Sequence, residues 1–470
     1  MPLTLTDNTT KTFSLSEYKS GLPNLRKIAN KTIGDLQTES GILIFPPKVE
    51  DTDDDIKDHV IFNLTEDDNS FSIKTENIMG FIGKGETELN ICSRFTHKKD
   101  ESVSEQKDFF LHYMLEKVCH VNLSKLKSTQ TKDKIFDFLP YLFPKYLGAA
   151  LSHGLYKEYQ NKKYNDSNVR GAIDVNRHIK LNIPFNAKIA YKTREYSFDN
   201  SVTELVRLTI EYLRSSKSFK HILLQNEETK DAVSKIESAT PLYSKMNRQK
   251  ILSQTAKPVK SPFYTKYRDL QKICRMILLR EKIKYDSSAN KIYGILFDGA
   301  WLWEEYLWTI LKKCGFKHPQ NKKSKDGLSP TIDGVGRFYP DFYKLKPDTK
   351  ESEHKAQIIL DAKYKNFDDK NPVAADLTQM ISYIHVMDAE EGKFIYTSAN
   401  ENQVLKLWTI KPFANTTANL GTISFFIPQK AENYSDFETE IKKSEDQFFS
   451  YFENGGAQNI YLNMKRHRFI

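Results

Sequence analysis

Short apolar runs separated by turn residues open the chain. Gly41–Pro46, His59–Leu64, Ser72–Lys74, Asn77–Gly83 and Glu88–Cys92 are each apolar or alternating, and stretches such as Glu66-Asp67-Asp68-Asn69 and Gly83-Lys84-Gly85 bound them. Successive side chains of a strand point to opposite faces, so runs of this kind predict strands and make residues 1–125 a β-rich unit. The period then lengthens to that of a helix. Asp108–Leu115 opens one helix, Ile135–Tyr159 holds a pair punctuated by Pro140 and Pro144, and Val202–Leu213 and Tyr267–Ile283 are amphipathic helices. Residues 126–285 are therefore expected to be a helical region. From 286 the pattern becomes mixed α/β to about 430, followed by a polar helix from about Ser435 to Phe452, with a strand-like run Ile423–Ile427 at its edge. The fold class expected is multidomain α+β, with units 1–125, 126–285 and 286–470.

Composition narrows the function classes. A chain of 470 residues with 39% hydrophobic and 12% aromatic content can bury two or three cores. No run approaches the roughly 18 apolar residues of a membrane span, and the first residues lack a basic stretch followed by an apolar core. The four cysteines have no zinc-ligand spacing, which predicts reduced thiols and a cytoplasmic protein. The acidic run Glu50–Asp55 lacks the glycine and distal glutamate of a calcium loop and reads as a solvated loop. Net charge is +9, and the segment 245–291 holds 13 Lys/Arg against 3 Asp/Glu, so it carries the whole positive excess. Two readings stand for it: a track for a phosphate backbone, or a solvated helix surface.

The chemistry concentrates between 298 and 383. Pro340-Asp341 precedes a predicted strand, and Asp361-Ala362-Lys363 follows the apolar run Ile358-Ile359-Leu360. On a strand, Asp361 and Lys363 share a face while Leu360 and Ala362 take the other. The polar stretch Lys346–Lys355 reads as a hairpin loop, which would set Asp341 beside Asp361. Two carboxylates can hold Mg²⁺, a hard cation, and a lysine beside them can stabilise charge or polarise water in phosphodiester hydrolysis. The alternative is a buried ion pair between Asp361 and Lys363. The letters alone are cheap, since Pro347-Asp348 with Glu353-His354-Lys355 repeats them inside the polar loop. Upstream, Asp298 is placed to cap the helix Asp298–Leu311. A helical wheel sets Glu304 amid Ala300, Trp301, Leu307, Trp308 and Leu311, with Glu305 on the outer side. Downstream, Gln379 and Tyr383 are one helical turn apart and able to reach one phosphate or each other, or else form an ordinary helix surface.

Taken in order, Glu304, Asp341, Asp361-x-Lys363 and Gln379-x-x-x-Tyr383 resemble the PD-(D/E)xK nuclease superfamily, in the branch with a RecB-like glutamine–tyrosine helix. More narrowly, Leu302-Trp-Glu304-Glu-Tyr306, Asp361-Ala-Lys-Tyr-Lys365 and Asp376-Leu-Thr-Gln-Met-Ile-Ser-Tyr383 look like the McrC family, the nuclease subunits of McrBC-type restriction systems, LlaJI-like relatives included. Gly154–Tyr159, Val169–Asp174 and Phe198-Asp-Asn200 resemble that family's central segment, and the likeness runs from about residue 40 to 410. Tryptophan stands before Glu304 where phenylalanine is usual, and the tail after 430 has no counterpart.

The resemblance implies a C-terminal PD-(D/E)xK domain with a mixed sheet and a Mg²⁺-dependent endonuclease of double-stranded DNA, Mn²⁺ able to substitute. Metal ligands would be Asp341, Asp361 and the Ala362 carbonyl. Glu304 and Lys363 would complete the catalytic set, and Gln379 and Tyr383 would position DNA. It further implies a modification-dependent system aimed at 5-methylcytosine. In it an McrB-like AAA+ GTPase hexamer is docked and stimulated through the N-terminal region, with no membrane partner. The chain has no GxxxxGK[ST] phosphate loop of its own. Two other expectations remain: a stand-alone RecB-like repair nuclease, and a non-catalytic activator of a motor.

Overall fold

The computed structural model describes residues 3–18, 20–37, 42–46, 58–96, 108–119, 139–285, 292–319, 338–347, 355–365, 370–402, 405–411 and 418–453, with 329, 331, 333 and 367. The acidic run 50–55, most of the repeated letters in 347–355, and the end of the basic segment from 286 lie outside them. The chain divides into two units, Met1–Asn122 with Asp286–Ile470, and Leu123–Tyr285. The first and last expected segments thus fold together.

In the discontinuous unit the expected N-terminal strands form as Ile42–Phe45, Phe62–Glu66, Ser70–Thr75, Ile78–Lys84 and Thr87–Cys92. Two further strands, Leu3–Thr6 and Thr10–Ser14, were not anticipated. A five-stranded sheet runs in the order Leu3–Thr6, Thr87–Cys92, Ile78–Lys84, Ile292–Asp298, Ile42–Phe45. Its fourth member comes from beyond the central unit. All seven residues of Ile292–Asp298 are buried, antiparallel to Ile78–Lys84 and parallel to Ile42–Phe45. The crossing is close: Gly80 has φ +122°, and a Cβ there would lie 2.0 Å from the Ile295 carbonyl oxygen. A second sheet of three strands, Thr10–Ser14, Ser70–Thr75 and Phe62–Glu66, packs into the same core through Phe71 and Ile73.

The other five-stranded sheet of this unit has the order Phe342–Leu345, Ala356–Lys363, Glu391–Ser398, Asn419–Phe426, Leu405–Thr409. It is mixed. The outer pairs are antiparallel and the two inner pairings parallel, with the helix Ala374–Val386 crossing between Ala356–Lys363 and Glu391–Ser398. Met380, Tyr383 and Ile384 of that helix bury against Phe394 and Tyr396. The helix Gly299–Leu311 and the closing helix Tyr434–Glu453 pack elsewhere around it, joined by Glu445. Its carboxylate accepts from the Tyr113 hydroxyl at 3.0 Å, the Tyr306 hydroxyl at 2.8 Å and Lys117 Nζ at 3.2 Å. The tail that matched nothing in the sequence thus has a packing role up to Glu453.

The central unit corrects the expectation of a purely helical region. Helices Leu139–Leu151, Ser201–Ser215, Glu227–Ala239 and Lys266–Tyr285 are present, but so is a three-stranded antiparallel sheet of Glu158–Asp166, Ile189–Ser197 and Ala172–Ile173. Its longest strands read Glu-Tyr-Gln-Asn-Lys-Lys-Tyr-Asn-Asp and Ile-Ala-Tyr-Lys-Thr-Arg-Glu-Tyr-Ser, so polar residues occupy both faces and no apolar alternation betrays them. The predicted pair around Pro140 and Pro144 is one described helix containing Pro144, and the chain is extended by Glu158. Asn200 caps Ser201–Ser215, its Oδ1 accepting from the Val202 and Thr203 amides at 3.1 Å. In the basic segment, arginines serve packing: Arg248 donates to the Leu278 carbonyl at 2.8 Å, Arg268 to that of Val259 at 2.7 Å, and Arg275 to that of Leu252. Part of that positive charge is therefore committed inside the unit. Among the described residues, no helix is long and apolar enough to cross a membrane.

Candidate active site

Strand register assembles the site. Phe342 pairs with Leu360 and Tyr343 with Ile359, so the antiparallel ladder sets Asp341, just before the edge strand, across from Asp361. Its carboxylate Oδ2 accepts the Ala362 backbone N–H at 2.6 Å. Asp361 is 2% exposed, and Lys363 on the same face brings Nζ to 2.6 Å from Asp361 Oδ2. That oxygen is buried, with the Lys363 ammonium as its charged partner. Lys363 Nζ also donates to Gln379 Oε1 at 3.3 Å and stands 3.6 Å from Asp376 Oδ1. Gln379 Nε2 donates to the Tyr383 hydroxyl at 2.8 Å, which in turn donates to the Tyr339 carbonyl at 3.1 Å. The glutamine–tyrosine helix therefore meets both the lysine and the segment leading into Asp341.

Glu304 arrives from the other side. The wheel that centred the apolar face on it is rotated in the structure: the buried stripe runs through Leu302, Trp303, Tyr306, Leu307 and Ile310, while Ala300 is exposed and Trp301 and Trp308 are half-buried. Trp303 and Tyr306 win because they pack, largely edge-to-face, against Phe110 and Phe425. Glu304 and Glu305 are alike in burial, their side chains 25% and 27% exposed. Proximity to Asp341 distinguishes Glu304, for its charge is the largest electrostatic influence there. Burial first, then Glu304 and Asp361, push the Asp341 carboxyl well above the ordinary carboxylate range. Burial also raises Asp361, opposed by Lys363. For Lys363 burial disfavours the charge, but Asp361, Asp341 and Asp376 outweigh it and its pKa is raised. At neutral pH this lysine is an ammonium, suited to hold an anion or orient water rather than to accept a proton.

Three further residues belong to the arrangement, and two of them, His318 and Arg94, carried no sequence pattern that singled them out. Asp376, buried on the glutamine helix, takes Lys365 Nζ at 2.6 Å besides facing Lys363. It lies three residues before Gln379, so the helical spacing was a usable signal. His318 approaches both Glu304 and the main chain of Asp341. Arg94 donates to the Tyr364 carbonyl at 3.3 Å, to Asp7 Oδ2 at 2.7 Å and to Asn77 Oδ1 at 2.8 Å, with its guanidinium 4.5 Å from the Tyr364 ring centre. The start of the Glu304 helix is equally tight, since a Cβ on Gly299 would meet the Asn77 carbonyl and the Tyr364 ring at 2.9 Å.

Carboxylates that repel one another at one point are a donor set of the kind hard cations take. Asp341, Asp361 and the Ala362 carbonyl suit such an ion by chemistry. Among the described residues, no three His, Cys, Asp or Glu side chains stand together as a finished cage.

The family model described as McrBC 5-methylcytosine restriction system component matches residues 73–397. The chain is also similar to one in the refined half-complex from the tetradecameric assembly of Thermococcus gammatolerans McrB AAA+ hexamers with bound McrC. Identity there is 14%, covering 94% of this chain and 100% of that one, with a TM-score of 0.48. A second likeness is to a chain of the cryo-EM structure of the Thermococcus gammatolerans McrBC complex, at 16% identity over 67% of this chain and 88% of that one, TM-score 0.33. No curated protein matches.

Proposed function

The chain belongs to the McrBC 5-methylcytosine restriction system component family, and from that premise we propose that it is the nuclease subunit of such a system. In this reading it is a Mg²⁺-dependent endonuclease of the PD-(D/E)xK type that cleaves double-stranded DNA. It acts with an AAA+ GTPase hexamer and stimulates it. The observation that carries the reading is the meeting of Asp341, Asp361 and Lys363 at the end of one buried strand, with Glu304 close enough to raise Asp341.

Asp341, Asp361 and the Ala362 carbonyl would hold Mg²⁺ (or Mn²⁺), with Glu304 beside them. When bound, the ion supplies charge neutralisation on the scissile phosphate and a more acidic water. The Ala362 N–H orients the Asp341 carboxylate. Lys363, charged and held by Asp361, Asp376 and Gln379, presents an ammonium to the non-bridging oxygens or to the attacking water. Gln379 and Tyr383 form a hydrogen-bonded pair that positions the backbone of the DNA. Asp376 keeps two lysines facing the same groove, which favours a polyanion.

The test is cleavage of 5-methylcytosine-containing and unmethylated plasmid by wild type and Asp361→Ala, with and without the partner GTPase and GTP, in Mg²⁺ or EDTA. Wild type should cut only methylated DNA with partner, GTP and Mg²⁺. Asp361→Ala should lose on the order of 1000-fold or more in rate while still binding and stimulating the partner. Cleavage surviving in Asp361→Ala removes the nuclease from this site. Cutting that needs no partner or nucleotide favours the RecB-like repair reading instead.

A further inference from the structure

His318 has no part in the chemistry so far, yet it touches both halves of the site. The bridge between Lys317 and Tyr343, with amide-to-carbonyl bonds of 2.7 and 3.0 Å, zips the segment after the Glu304 helix onto the edge strand. This sets the His318 ring, 4% exposed, tilted against both Trp308 and Phe342, which stack on one another, with centroids 5.4 and 5.0 Å away. Its Nδ1 lies 2.7 Å from the main-chain oxygen of Asp341. A carbonyl only accepts, so Nδ1 carries the hydrogen. The same nitrogen is 3.7 Å from Glu304 Oε1, and Nε2 is 3.8 Å from Glu305 Oε1. One ring therefore ties the backbone of one acidic residue to the helix that carries another.

We propose that His318 is a positioning residue of the hydrolytic site, fixing Asp341 relative to Glu304 through its Nδ1–H and its packing against Trp308 and Phe342. The proposal rests on the nuclease reading above. Asp341 stands outside the regular ladder, before the first paired residue Phe342, so the strand alone does not hold it. Among the described residues, the His318 contact to the Asp341 main-chain oxygen adds to the side-chain bond with the Ala362 N–H. Groups that orient acidic ligands in this way are worth roughly 10- to 100-fold in metal affinity or activity.

Two substitutions separate the ring's roles. His318→Phe keeps the ring packing and deletes the donor, whereas His318→Asn keeps a donor and loses the ring packing. Both are assayed as full chain with the partner GTPase, GTP, Mg²⁺ and 5-methylcytosine-containing plasmid, beside Asp361→Ala. The purified chains are also titrated with Mg²⁺ by calorimetry and melted. His318→Phe should lower kcat by about 10-fold with KM for DNA within about 2-fold, and weaken Mg²⁺ binding several-fold at an unchanged melting temperature. His318→Asn should recover most of the rate. Wild-type kcat and Mg²⁺ binding in His318→Phe, with Asp361→Ala inactive, overturns the positioning role and leaves the nuclease intact. Equal losses in both variants that track a fall in melting temperature also overturn it, because the ring is then only packing. Full cleavage by Asp361→Ala overturns the nuclease reading and this proposal with it.

Discussion

Two buried strands of this protein end in nearly the same letters. Ile295-Leu296-Phe297-Asp298 closes the strand that completes the first sheet, and Ile358-Ile359-Leu360-Asp361 runs through the second. Both aspartates are almost fully buried, at 1% and 2% exposure. Their company separates them. Asp298 spends Oδ1 on the Trp301 amide at 2.8 Å as a helix cap, with His59 3.7 Å from the other oxygen. Asp361 lies among Asp341, Lys363 and Asp376, where burial raises its pKa and the lysine opposes that rise. An apolar run ending in an acid is thus equally good as scaffold or as chemistry. What decides is how many other charges the fold delivers to the same point.

The scaffold side of that comparison breaks first under core mutation. Phe297 is fully buried and stacks on Phe45 at 5.1 Å, so Phe297→Ala should cost about 3–5 kcal/mol in chemical denaturation and lower DNA cleavage only through unfolding. The reactive side should respond in rate rather than stability. Asp376→Asn leaves a neutral group facing Lys363 and Lys365, and cleavage should fall about 10-fold with little change in unfolding midpoint. A loss of stability equal to that of Phe297→Ala would place Asp376 on the scaffold side.

The smallest effect runs in the opposite direction. A carboxyl whose pKa is raised by folding holds its proton more tightly folded than unfolded. Its ionisation therefore costs stability as pH climbs from the ordinary range, near 3.8, through the raised value. Asp341→Asn removes that charge and still offers an oxygen to the Ala362 N–H. In EDTA at neutral pH it should melt higher than wild type by about 2–6 °C, with the gap closing as pH falls toward 3.8, although cleavage is lost. An equal or lower melting temperature at neutral pH would show that the carboxylate cluster stores no repulsion.

Much of this site was legible because its signals are local. Asp298 as a cap, Asp361 with Lys363 on one strand face, and Gln379 with Tyr383 one turn apart all follow from periods of two or near four. The approach of Asp341 to Asp361 followed from the hairpin. Glu304 was picked out by a wheel that treated every apolar residue as equal, and the actual buried stripe is set by the aromatic partners of Trp303 and Tyr306. His318 and Arg94 were not legible, since their contacts with Asp341 and Tyr364 span 23 and 270 residues with no pattern between. The central sheet was missed for a different reason: strands with polar residues on both faces leave no hydrophobic signature.

The strand Ile292–Asp298 has a consequence for how such a protein can be divided. It fills a slot between Ile78–Lys84 and Ile42–Phe45, and its last residue starts the helix that bears Glu304. A fragment beginning near 286 would carry a mostly apolar strand with both hydrogen-bonding edges bare, and the complementary fragment would keep a sheet with a missing plank. Neither piece is a transferable cassette. Swapping the part that bears Asp341 and Asp361 between relatives therefore means swapping the N-terminal sheet with it, and a graft joined at 286 should aggregate.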